Sequence, residues 1–69
     1  MGSVVWVYAN GCNWVMLDPV AQNQCESLWS HNSSSWIQSN SFDSPVYIDI
    51  GQMVLLCNGV SYSIARRRV

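Results

Sequence analysis

The sequence predicts an α+β domain: a small antiparallel sheet of about six strands with one helix packed on its apolar face. Three observations carry this. Runs of β-branched and aromatic residues with alternating polarity stand at both ends of the chain, "VVWVYA" at 4–9 and "VSYSIA" at 60–65. Between them, "DPVAQNQCESLWSHN" changes from a period of two to a helical period. The chain has 69 residues, 49% of them hydrophobic, with four Trp, three Tyr and one Phe. A domain this short has one small core, and large rings are the main means of stabilising it.

Each element follows from its own stretch. In residues 4–9 alternation puts Trp6 and Tyr8 on one face and Val5 and Val7 on the other. Asn10 to Asn13 form a turn, and Trp14 to Leu17 return as a second strand. Asp18 suits a helix N-cap and Pro19 the first helical position. Ala21, Cys25, Leu28 and Trp29 form one apolar stripe, so a helix is expected from Pro19 to about Ser30, broken by Asn32 to Ser35. A short strand surrounds Trp36, and "NSFDSP" is a loop. "VYIDI" at 46–50 and "MVLLC" at 53–57 are strands. Asn58-Gly59 is the strongest hairpin signal, because both residues tolerate the positive φ of a type I′ turn. The last strand covers 60–65, with Val60, Tyr62 and Ile64 on one face, and the run Arg66, Arg67, Arg68 follows directly.

Charged residues make up 10% of the chain and net charge is −1. High hydrophobicity excludes disorder, and the lack of a basic face argues against general nucleic-acid binding. All the basic residues sit in "ARRRV", while Asp18, Glu26, Asp43 and Asp49 precede them. Such an Arg cluster suits phosphate, and it equally suits a solvated chain end. Cys12, Cys25 and Cys57 are odd in number and widely spaced, with His31 the one histidine. That pattern excludes a paired-ligand zinc site and favours reduced thiols in an intracellular compartment. The glycosylation-like "NSS" at 32–34 reads as chance. No apolar run reaches a membrane span. Residues 1–3 read as an expression remnant before a domain at 4–68.

Catalytic signals are missing. His31 falls in the stretch that ends the helix, and Cys25 lies on the core stripe, as an inert apolar residue does. Asp43 and Asp49 have no recognisable partners, and the glycines are isolated. The expectation is a domain that is not itself an enzyme and has no metal or cofactor.

Trp6, Trp14 and Glu26, in that order, give the aromatic start a second meaning. "VWVYANGCNW", "DPVAQNQCESLW", "YIDIGQM" and "NGVSYSIARRR" follow one another with the spacing of a known module. From about Val4 to Arg68 the chain resembles the WWE domain, named for two tryptophans and a glutamate. The resemblance implies an antiparallel half-barrel cupped around one helix. It also implies an accessory module of an ADP-ribosyltransferase or ubiquitin ligase, nuclear or cytoplasmic, lying beside other domains. Members of the family bind poly(ADP-ribose) through iso-ADP-ribose, or bind terminal ADP-ribose or related adenine nucleotides. An aromatic ring stacks on adenine, and basic and amide groups hold phosphates.

Carried over residue by residue, the resemblance makes Tyr8, Tyr47, Gln52, Tyr62, Arg66 and Arg68 the candidate ligand residues, with Trp6, Trp14 and Glu26 as signature. The departures are specific. Val15 stands where an aromatic is common, and Val46 where the binding tyrosine falls, Tyr47 being one place off. Leu55 replaces the glutamine after Met53, with Gln52 on the other side, and Tyr62 replaces a basic residue. Each lost polar partner costs about 1–3 kcal/mol, so weak binding that favours terminal ADP-ribose is expected. A structural or protein-interaction module without nucleotide binding is the alternative. Trp6, Trp14 and Trp29 are expected in the core, Cys25 buried and reduced, and Glu26 paired with backbone or an arginine.

Overall fold

A computed structural model describes residues 2–69. The elements run β1 (Val4–Asn10), β2 (Asn13–Met16), α1 (Pro19–His31), β3 (Ser35–Ile37), β4 (Val46–Asp49), β5 (Val54–Cys57) and β6 (Val60–Arg68). They form one six-stranded sheet in the order β2-β1-β6-β5-β4-β3, every neighbouring pair antiparallel. The first and last strands therefore pair with each other inside the sheet, one strand in from the β2 edge.

Local chemistry explains the joints. Gly11 turns the β1–β2 hairpin with φ +62°, and Asn58 and Gly59 turn β5–β6 with φ 50° and 80°, as a type I′ turn requires. The Asp18 carboxylate accepts from the Ala21 N–H at 3.2 Å and so caps α1. At the other end Asn32 is left-handed (φ 52°). Its N–H donates to the Trp29 carbonyl, and the Ser33 N–H to that of Leu28, closing the last turn.

The core lies between α1 and the inner face of the sheet. Trp6, Ile37, Val46, Ile48, Leu55 and Ile64 meet Ala21 and Cys25 there, with Tyr8, Leu28 and Tyr62 packed against them. Where β2 ends, the Gln22 side chain takes over its role. Its amide oxygen accepts from the Trp6 N–H at 2.6 Å, and its nitrogen donates to the carbonyls of Trp6 at 2.8 Å and Leu17 at 3.0 Å. A helix side chain thus continues the ladder along β1 and fixes α1 against the sheet.

Four expectations need correction. Trp14 is not core: it is 46% exposed, because its partner Ala9 shares the outer face of β1 with Val5 and Val7. Trp29 is 42% exposed, since the helix stripe is narrower than its sequence period and only Ala21 and Cys25 are buried within it. The arginine run is not a tail. Because β1 starts at Val4, Arg66, Arg67 and Arg68 find strand partners in Trp6, Val5 and Val4. Two strands are shorter than expected: β4 stops at Asp49, and β5 starts after Met53, which takes a left-handed φ of 55°.

Candidate functional site

The inner face of the sheet holds two clusters of chemistry. The first is aromatic. Tyr8 on β1 and Tyr62 on β6 stand edge-on with ring centroids 5.7 Å apart. Phe42 closes the triangle, 5.2 Å from Tyr8 and 5.5 Å from Tyr62. Phe42 comes from the segment between β3 and β4, which Asp18 ties down. One oxygen of that carboxylate accepts from the Ser39 hydroxyl and from the Ser41 N–H and hydroxyl. Burial opposes ionisation of Asp18. The hydrogen bonds from Ser39, Asn40, Ala21 and Ser41 outweigh it and hold the carboxyl well below its usual range.

The second cluster is charged. The Trp6 indole N–H donates to Glu26 Oε1 at 2.9 Å. Arg66 grips the same carboxylate with both ends of its fork, Nε to Oε1 at 2.9 Å and Nη2 to Oε2 at 2.7 Å. Its guanidinium carbon lies 5.2 Å from the centre of the Trp29 ring, and Trp29 in turn meets Trp6 edge-on at 5.9 Å. The hydrogen bonds from Arg66, and then from Trp6, lower the Glu26 carboxyl to about 2.

These clusters account for only some of the candidate residues. Tyr8 and Tyr62 come together. Arg66 stands on the same face of β6 as Tyr62 but is engaged by Glu26. Arg68, six residues from Tyr62, lies about 20 Å further along the strand at ordinary rise. Tyr47 points the other way: it pairs with Trp36 and Leu56 on the outer face and meets the Trp36 ring at 5.5 Å. Gln52 lies in the turn after β4, its N–H donating to Asp49 Oδ1 at 3.1 Å. Val46 and Leu55, two positions where the sequence departs from the expected polar pattern, are fully buried. Val15 is half-buried on β2. Trp14 carries a different contact, with the Arg67 guanidinium carbon 5.3 Å from its ring centre.

Sequence reasoning missed Phe42 and the second role of Asp18. The available signal was an isolated phenylalanine in a polar loop, since a lone large ring beside a small core has few other places to go. Cys25 and Cys57 are buried and Cys12 is exposed, all three as free thiols. Burial first, then the nearby Asp18 and Glu26 charges, push the Cys25 thiol up to about 12. His31 Nδ1 sits 2.8 Å from the Ser27 carbonyl at the helix end. No group of three His, Cys, Asp or Glu side chains among the described residues could hold a metal ion. Among the described residues no helix is long and apolar enough to cross a membrane.

Comparison with protein-family models, with curated proteins and with solved structures gave no match to this chain.

Proposed function

We propose that this domain is a non-catalytic interaction module on a WWE-like half-barrel, and that it does not depend on nucleotide recognition. The observation that carries this is the state of the inner aromatic cluster. A stacking site for adenine needs an open ring face with a free cation beside it. Here Tyr8 and Tyr62 pack edge-on against each other and Phe42 packs against both, and Arg66 on the same face is bound bidentately to Glu26. The WWE resemblance supplies the context: an accessory domain beside catalytic or ligase domains of a larger protein, inside the nucleus or cytoplasm.

A second reading keeps weak recognition of terminal ADP-ribose or free adenine nucleotides. It is favoured by Tyr8 and Tyr62, which remain half-buried rather than fully enclosed. Calorimetric titration with iso-ADP-ribose, ADP-ribose and ATP separates the two. The interaction-module reading expects no heat at millimolar ligand. Binding that Tyr8→Ala abolishes supports the second reading and overturns the first.

A further inference from the structure

The edge of β1 next to the helix start is only partly covered. β2 stops at Met16, and beyond it β1 receives just the Leu17 N–H and the Gln22 amide, all at Trp6. Ser3 exchanges backbone hydrogen bonds with Val69 in both directions, so its main-chain groups face the β6 side. Alternate residues of a strand face opposite neighbours. The N–H and C=O of Val4 therefore face away from β6, on the side where β2 has already ended.

They face a groove of about 320 Å³ formed by Val4, Val5, Met16, Leu17 and Pro19 together with Gln22 and Asn23 of α1. None of these residues is charged. Asp18, between Leu17 and Pro19, turns its carboxylate to Ser39 and Ser41, and the charges free to meet a partner lie one strand away and are positive. Arg68 is the cross-strand partner of Val4 and Arg67 that of Val5, which puts one cation on each face of the sheet beside the groove. Neither makes an ion pair among the described residues, where Arg66–Glu26 is the only one. The Trp14 ring holds the Arg67 guanidinium by its face, which leaves the N–H edge free to donate.

We propose that this groove binds an extended acidic peptide segment by strand addition. The partner's main chain pairs with Val4, an apolar side chain enters the groove, and carboxylates on either side meet Arg67 and Arg68. The choice of an acidic partner rests on charge complementarity: Arg67 and Arg68 have no ion pair among the described residues, and the neighbouring acid, Asp18, is taken up by Ser39 and Ser41. The proposal deepens the interaction-module reading and depends on it.

The test uses the whole chain and two fluorescein-labelled hexapeptides, Glu-Val-Glu-Leu-Glu-Val and its counterpart with lysine for glutamate. Binding is followed by polarisation, and the amides are followed by NMR. The acidic peptide is expected to bind, with slowed exchange of the Val4 amide, and the lysine peptide is not. Val4→Pro removes the outward N–H, at a strand start where proline is tolerated, and reshapes the Val4 side chain that lines the groove and packs against the core. It should weaken binding by about tenfold or more while the chain stays folded by circular dichroism, and Val4→Ala, which keeps the N–H, should weaken binding less. Arg67→Gln with Arg68→Gln should weaken it as much as Val4→Pro does and reduce its salt dependence. Equal binding of both peptides, or unchanged affinity in Val4→Pro and in the arginine variant, overturns the proposal. So does protection appearing along β3 instead, or concentration-dependent self-association that protects Val4 without peptide. These outcomes leave the interaction-module reading intact, whereas nucleotide binding in the calorimeter overturns that reading directly.

Discussion

Trp6 has no exposed surface and donates its indole N–H to Glu26, whereas Trp29 leans edge-on against it at 42% exposure. Their alanine variants should therefore separate. Trp6→Ala removes a fully buried ring, about 3–5 kcal/mol, comparable to the net stability of so small a core, and should leave the chain unfolded by circular dichroism. Trp29→Ala loses an edge contact and a guanidinium contact, about 2 kcal/mol together. It should stay folded and melt about 10 °C lower. Glu26 makes the stability pH-dependent. Its folded pKa lies near 2 against an ordinary 4.5, so the contribution is complete above about 4.5 and is lost as pH falls toward 2. The carboxylate is 43% exposed, so solvent screens the pair and the effect is modest. Glu26→Gln should be less stable than the parent at pH 6, and melts taken at steps down to pH 2.5 should show the gap closing. The roles of Trp14 and Trp29 were not legible in the sequence. Alternation reveals that a strand has two faces, and a helical stripe has a centre and margins. Neither shows which face or margin a neighbour will cover.

At the scale of elements, the order and type of every strand and of the helix could be read in advance, because each is bounded by strong local chemistry. Asp18-Pro19 and Asn58-Gly59 are examples that need no tertiary context. The extension of β6 through three arginines was not readable, since consecutive charges favour a strand only when a partner strand lies alongside. The Gln22 clamp was equally hidden: a polar residue off the helix stripe looks solvated until the sheet end reaches it. Gln22→Ala leaves the Trp6 N–H without its acceptor in a half-buried setting. It should cost about 1–3 kcal/mol by urea denaturation and speed exchange of the Trp6 amide. Gly59→Ala forces a side chain into φ 80° and should destabilise the β5–β6 hairpin by about 1 kcal/mol or more. An unchanged denaturation midpoint would show that the turn relaxes.

For the molecule as a whole, the pairing of β1 with β6 joins the first and last strands inside the sheet. Truncation after Ala65 would remove the partners of Val4, Val5 and Trp6 and the Arg66 grip on Glu26. Such a chain should lose its dispersed amide spectrum, whereas removal of a solvated tail would leave it intact. The candidate site was legible only in part. Tyr8 and Tyr62 were legible as separate candidates, but their meeting depends on β1 and β6 lying side by side, which neither strand's own pattern shows. The closure over them depends on Asp18 reaching across to Ser39 and Ser41, a contact with no sequence periodicity behind it.

The three thiols also form a built-in gauge of motion. Cys12 is exposed at a hairpin tip, while Cys25 is sealed between helix and sheet with its thiol pushed up to about 12. An alkylating reagent reacts with thiolate, so under native conditions Cys12 should be tagged at once. Cys25 should be tagged only in the moments when the helix lifts off. Cys57 is buried too but 8% exposed against 0% for Cys25, so the lag before the last of the three mass increments measures how often the domain breathes, with no mutation or probe added.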